Sequence, residues 1–303
     1  MVVGVFGPTA SGKTHVAEAL ADRLDGELVS ADAMQAYRGL PILTNQSERV
    51  PRLVGIWPLE HEASVAEYQE LAQAAVDEIL AEGRTPVVVG GTGLYLRAAL
   101  AGLELPPPAP AATRFRLERL YDRLGPERAH SALAERDPAA AGRVHANDRR
   151  RVVRALELVE LGSSLAPSSD TLWGAGYRHQ TIVAGLDVPR GVLAGRIEAR
   201  TRAMVERGVV EEAHRALAES LSQTARTVHG LRDFGELPLE EAVETYNQRV
   251  RRYAAYQRKW MRRIPDVVII DANRPATEVA DEIVALARAR ERVPGDGAAR
   301  ADR

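Results

Sequence analysis

Short apolar runs alternate along the chain with longer stretches whose apolar residues recur every three or four positions. Val2–Phe6, Glu27–Ser30, Leu53–Trp57, Pro86–Val89, Thr181–Leu186 and Val267–Ile270 read as strands. Each is a brief run dominated by aliphatic residues and bounded by turn formers, the pattern of strands buried in a sheet. Amphipathic stretches near residues 13–24, 64–82, 93–103, 190–221 and 239–263 separate them. Such alternation predicts an α/β fold: a parallel sheet with helices on both faces. The rhythm breaks after Leu105. Pro106-Pro107-Pro108-Ala109-Pro110 is a stiff connector, because consecutive prolines favour extended polyproline backbone. From about 113 to 178 the pattern is helical without a strand. The expected layout is therefore a discontinuous core of residues 1–112 and 180–290, a helical insertion over 113–179, and a loose tail over 291–303.

Composition narrows the setting. With 45% apolar and 27% charged residues the chain has material for a core. No apolar run approaches the roughly 18–20 residues that span a bilayer, so no membrane partner is expected. The strand-like Val2-Val3-Gly4-Val5-Phe6 leaves no room for a signal peptide. Cysteine is absent, which excludes disulfides, thiolate catalysis and Cys-ligated zinc, and fits a cytoplasmic protein. Net charge is only −2, yet Arg249, Arg251, Arg252, Arg258, Lys259, Arg262 and Arg263 fall in an acid-free stretch, and Arg149, Arg150, Arg151 and Arg154 form a second run. Local stripes of this kind make either a nucleic-acid footprint or a solvated helix face.

Gly7-Pro8-Thr9-Ala10-Ser11-Gly12-Lys13-Thr14 follows the first strand and opens the first helix, the context a G-x-x-x-x-G-K-[ST] phosphate loop requires. Its glycines let backbone N–H groups curl around an anion at a helix N-terminus. Lys13 supplies a compact charge to the terminal phosphate, and the Thr14 hydroxyl can ligate Mg²⁺. Lys13 and Lys259 are the only lysines among 40 basic residues, so an ammonium at Lys13 is a chemical requirement rather than compositional drift. The loop specifies a P-loop NTPase-like fold and a diphosphate or triphosphate ligand, but no reaction. Asp32, just past the second strand, is placed to hold magnesium, to act as a general base, or simply to cap a turn. Gly90-Gly91-Thr92-Gly93 follows another strand; there glycines admit a ligand to the backbone and Thr92 contacts it, or Thr92 caps the next helix. The seven histidines show no ligand spacing and read as surface or core residues.

Taken in order, these motifs resemble the bacterial tRNA dimethylallyltransferase family. The likeness comprises Gly7–Thr14; Ser30-Ala31-Asp32 with Met34-Gln35 and Tyr37-Arg38-Gly39; Gly90–Tyr95; and Asp137-Pro138 through His145, Asn147, Asp148, Arg151, Arg154 and Glu157. Arg196-Ile197-Glu198 with Arg200 and Met204, and then Tyr253, Gln257 and Trp260, complete it over about residues 2–270. The resemblance implies transfer of a dimethylallyl group from dimethylallyl diphosphate to N6 of adenosine 37 beside the tRNA anticodon. It implies that Lys13, Thr14 and Mg²⁺ neutralise diphosphate, that Asp32 takes the amine proton, that Thr92 positions the reacting groups, and that Arg200 and Arg151 steady the leaving diphosphate or grip RNA. It further implies contacts to the anticodon stem-loop from Asp32, Ala33, Met34, Gln35, Thr92, Arg114, Arg150, Arg151, Arg154 and the Thr227–Arg232 stretch, in a monomer.

The sequence departs from the family pattern at Ala33 (usually serine), at Pro41–Gln46, in the segment before Leu53, which is short and lacks the paired histidines, at Leu231 (usually tyrosine) and at Ala255-Tyr256 (usually a basic pair). Three other readings share parts of the pattern: a prenyltransferase of free adenylate, a P-loop kinase of a small metabolite, and an RNA-binding protein descended from the enzyme. The first has no use for residues 113–178 and their arginines, and the second leaves Gly90–Tyr95 with Asp137–Glu157 unexplained.

Overall fold

The computed structural model describes residues 1–106, 108–166, 174 and 176–292. Two compact units emerge: Met1–Leu103 together with the chain from 175 onward, and Glu104–Gly174. Pro107 of the connector, and the tail beyond 292, lie outside the described residues.

The first unit is built on a five-stranded sheet of β1 (Val2–Phe6), β2 (Gly26–Ser30), β3 (Thr85–Gly90), β4 (Thr181–Asp187) and β5 (Val267–Asp271). All four pairings are parallel and the order is β2-β3-β1-β4-β5. Every residue of β1 is buried, as a central strand covered on both faces demands. On one face α1 (Lys13–Arg23) packs with α12 (Ala276–Arg292), which brings Ile283, over Val3, Val5, Leu28, Val87 and Ile182. Toward β2 and β3 lie α2 (Val65–Ala81) and α3 (Gly93–Leu100), where Tyr68 is fully buried and its hydroxyl donates to the Ser30 carbonyl.

Five of the six expected strands form. Leu53–Trp57 does not: Arg52, just before it, bridges to Val29 of β2, and Trp57 bridges to Tyr37 outside the sheet. Leu53 and Gly55 hold φ of 67° and 64°, and two left-handed residues within three positions cannot continue an extended strand. The helical stretch 190–221 is likewise two helices, α8 (Arg190–Glu206) and α9 (Val209–Leu217), broken where Gly208 adopts φ 89°. After the short α10 (Leu231–Glu236) comes α11 (Leu239–Met261). No described helix is long and apolar enough to cross a membrane.

The second unit contains α4 (Ala111–Leu124), α5 (Pro126–Arg136), α6 (Pro138–Ala141) and α7 (Arg149–Glu160) around Leu117, Tyr121, Leu133, Val152 and Leu156. Its motif aspartates are helix caps: Asp137 accepts the Ala140 N–H at 2.9 Å and Asp148 the Arg151 N–H at 3.1 Å.

Candidate active site

Parallel pairing brings the carboxyl ends of β2, β3 and β1 side by side, with Ser30 opposite Val89 and Phe6 opposite Gly90. The turns leaving those three strands carry the sequence's chemical candidates, at the edge where open α/β sheets bind ligands. The first is the Gly7–Thr14 loop. Ala10 and Gly12 take φ of 65° and 87°, and this reversal delivers the chain into α1 with its N-terminal amides at the cleft.

A cleft of about 890 Å³, counted to its open mouth, is walled by Thr9, Lys13, Thr14, Asp32, Met34, Gln35, Arg200 and Tyr246, among others. Lys13, Asp32 and Arg200 therefore meet in one space, although they come from three distant stretches of chain. Lys13 has no carboxylate within ion-pairing distance among the described residues, and burial pushes its ammonium down to about 8, with the Arg200 charge acting in the same direction and Asp32 opposing. Asp32 Oδ1 accepts the Met34 N–H at 3.0 Å, so the turn reading is true of one oxygen; Oδ2 has no partner among the described residues. Arg200 Nη2 donates to the Tyr246 hydroxyl at 3.3 Å, while its buried Nε is left without an acceptor among the described residues. The Thr14 side chain likewise makes no hydrogen bond among the described residues.

Thr92 does not reach the cleft wall. It occupies the N-cap position of α3 without capping; its Oγ1 accepts the Ala33 N–H at 3.4 Å and lies 3.5 Å from the Tyr253 hydroxyl, which does face the cleft. The glycines beside it were expected either to admit a ligand or to form a plain turn, and in the structure they sit in close contact with protein. A Cβ on Gly90 would stand 2.1 Å from the Ala31 carbonyl oxygen, one on Gly91 2.2 Å from Gln257 Nε2, and one on Gly93 2.1 Å from the Trp260 ring. All three give room to neighbouring protein, and Gly90 also borders the cleft.

His229, read from the sequence as an ordinary core or surface histidine, lines the cleft and meets Tyr253 edge-to-face at 4.6 Å. Burial holds its imidazole below the ordinary value, helped by Arg249 and opposed by Asp32, so it is neutral at neutral pH. No spacing rule could have found it, since its partners lie on other elements. Burial, with Asp32 nearby, also keeps the Tyr253 phenol protonated. The opposite wall is the departing segment, with Leu43, Thr44, Asn45 and Gln46 facing inward. Buried Glu212 of α9 accepts the Ile42 N–H at 2.9 Å and the Leu43 N–H at 2.7 Å, and Gln35 donates to the Thr44 carbonyl at 3.2 Å.

The arginines divide. In the helical unit Arg114 and Arg154 converge on the fully buried Glu157, at 2.8 Å and 3.0 Å, while among the described residues Arg150 is exposed without an ion pair and Arg151 has only a 3.5 Å approach to Asp148. Arg232 pairs with Glu236 one turn on. On α11 Arg249 reaches the buried Asp233, Arg251 reaches Glu198 and Arg258 reaches Asp187, so acids from other elements neutralise part of a run that contains none. Arg252, Lys259 and Arg262 remain exposed and unpaired among the described residues, with Tyr256 exposed between them.

The profile of the IPP transferase family matches residues 35–264. A tRNA dimethylallyltransferase of Salinispora arenicola is 42% identical over 284 residues, spanning 89% of this chain and 82% of its own. One of Streptomyces coelicolor is 41% identical over 279 residues, covering 88% of each. Among solved structures, the tRNA isopentenylpyrophosphate transferase of Bacillus halodurans superposes with a TM-score of 0.68 at 33% identity over 96% of both chains. A eukaryotic dimethylallyltransferase acting on tRNA gives 0.73 at 26% identity, over 89% of this chain and 73% of that one. With the matched profile spanning most of its length and relatives above 40% identity across nearly all of it, the chain belongs to the IPP transferase family.

Proposed function

We propose that the protein transfers a dimethylallyl group from dimethylallyl diphosphate to N6 of adenosine 37 in tRNA, releasing diphosphate. The meeting of Lys13, Asp32 and Arg200 in one cleft carries this reading, and the tRNA dimethylallyltransferases at above 40% identity support it. An exocyclic adenine amine is a weak nucleophile, because its lone pair is delocalised into the ring. An allylic diphosphate compensates, since its carbon gains cation-like character as the C–O bond lengthens. The site must then stabilise charge growing on the departing oxygen, the usual largest catalytic contribution. The α1 amides, the unpaired Lys13 ammonium and the acceptor-less Arg200 Nε are donors suited to that charge. Asp32 Oδ2 takes the N6 proton as the C–N bond forms. Thr92, through Ala33 and Tyr253, braces the turn that carries Asp32.

Among the described residues no cluster of three or more acidic or histidine side chains could hold a metal. That donor set does not suit a resident ion, but it suits Mg²⁺ arriving with diphosphate, which keeps its waters and takes one or two protein oxygens. Thr14, with its unengaged hydroxyl, would hold it. Bound there, the ion would supply further charge neutralisation for the leaving group.

The reading is of a cytoplasmic monomer. In the first unit the rim Asp32–Gln35 would contact the anticodon loop, and exposed Arg232, Arg252, Lys259 and Arg262 would contact phosphates. In the helical unit exposed Arg150 and Arg151 would contact phosphates, with Arg114 and Arg154 steadying that unit's own surface through Glu157. The test is to incubate the protein with labelled dimethylallyl diphosphate, magnesium and either unmodified tRNA or AMP. Label in tRNA alone is expected; label in AMP alone, or in neither, would defeat the proposal.

A further inference from the structure

One face of α11 carries Tyr253, Gln257 and Trp260, a turn apart, and lays them on the turns that leave β1 and β3. Gln257, 2% exposed, is the central member. Its Oε1 accepts the Thr9 N–H at 2.8 Å and its Nε2 donates to the Gly91 carbonyl at 2.8 Å. One planar amide thus ties the start of the anion loop to the turn that carries Thr92. Only an amide with its oxygen toward Thr9 and its NH₂ toward Gly91 satisfies both backbone groups. The join is tight: a Cβ on Gly91 would lie 2.2 Å from Nε2 and 3.2 Å from the Gly7 carbonyl oxygen. The same turn presses on the residue before Asp32, because Gly90 abuts the Ala31 carbonyl.

We propose that Gln257 is a positioning residue for the transfer reaction. It sets the spacing between the diphosphate loop and the Thr92 turn, and thereby between the leaving group and the carboxylate of Asp32. The claim rests on the function proposed above. Its reach follows from the construction of the site: Lys13 and Asp32 sit beyond β1 and β2, which do not pair directly, and β3 with its glycine turn lies between them. A misplacement of about 1 Å between reacting groups is enough to lower turnover about a hundredfold.

Two substitutions test the claim. Gln257→Met keeps the length and offers neither hydrogen bond. Gln257→Glu keeps the shape: ionised, it accepts from Thr9 but opposes a second acceptor to the Gly91 carbonyl, whereas protonated, its O–H restores the lost donation. Burial raises the pKa of such a carboxyl toward the working range. Turnover with unmodified tRNA and titration calorimetry with inorganic diphosphate would both be measured on folded protein, checked by melting temperature. We expect kcat to fall roughly tenfold to a hundredfold in both variants at about pH 8, with the donor KM moving less, and diphosphate affinity to fall several-fold. The kcat of Gln257→Glu relative to wild type should recover as pH drops, while that of Gln257→Met stays level. A merely structural glutamine would lower the melting temperature but leave kcat per folded molecule and this pH profile unmoved, which would overturn the assignment. Should Gln257→Met not fold, the pH profile of Gln257→Glu decides alone. Wild-type protein that binds diphosphate yet labels no tRNA would refute the function instead, and the spacing claim would then be judged by diphosphate affinity, an unchanged value in the variants overturning it.

Discussion

Lys13 offers the sharpest test of the site's electrostatics. Burial places its ammonium at about 8 in the free protein, so it is about nine-tenths protonated at about pH 7 and about one-tenth at about pH 9. A bound anion favours the charged form and lifts that value, so binding above about pH 8 takes up a proton. The sign follows: diphosphate affinity is full below about pH 8 and declines about tenfold for each unit above it, until the bound-state value is reached. Inorganic diphosphate titrated by calorimetry from about pH 7 to about pH 10 reads this directly. The ligand's own ionisation would distort the curve, but it cancels in the ratio to Lys13→Met, where no ammonium titrates. Neighbouring charges supply an internal check, because Arg200 lowers the Lys13 value and Asp32 raises it. Asp32→Asn should move the breakpoint below about 8 and Arg200→Gln should move it above. A ratio flat across the whole range would show that Lys13 does not titrate there, and the account of a desolvated, uncompensated ammonium would be wrong.

Asp32→Ala should reduce prenylation at least a thousandfold on the order expected for a lost general base, with tRNA affinity changed little; a fully active variant removes Asp32 from the chemistry. Reversing Arg150 and Arg151 to glutamate should weaken tRNA binding and flatten its salt dependence by roughly one to two phosphate contacts, and an unaltered slope would leave both as plain surface charge. Gly93→Ala forces a methyl to within 2.1 Å of the Trp260 ring and should cost about 1–3 kcal/mol in denaturant unfolding, so an unchanged midpoint would contradict the packing described here.

How far the sequence could be read depended on whether a residue's partners lay nearby in the chain. Val2–Phe6 with Gly7–Thr14 announces its strand, turn and helix locally, and all three form there. Leu53–Trp57 misleads because aliphatic content alone cannot reveal that Leu53 and Gly55 take left-handed backbone. The Gly90–Gly93 turn shows a need for close approach, but not to what; Ala31, Gln257 and Trp260 come from elsewhere in the chain. His229 is silent for the same reason, since its place in the cleft is set by Tyr253. Counting arginines on α11 overstated its free charge, because Asp233, Glu198 and Asp187 arrive from other elements.

Glu212 gives the cleft a property that its lining does not disclose. The segment Pro41–Gln46 is held largely by its main chain, through amides gripped by Glu212 and carbonyls gripped by Gln35, with buried Leu43 and the Thr44 hydroxyl as the side chains that also anchor it. Shape and lettering are thereby partly uncoupled: the less anchored residues there can be exchanged while the backbone path persists. A lineage can thus retune what its acceptor pocket fits by rewriting inward-facing positions such as Gln46, leaving the phosphate loop untouched.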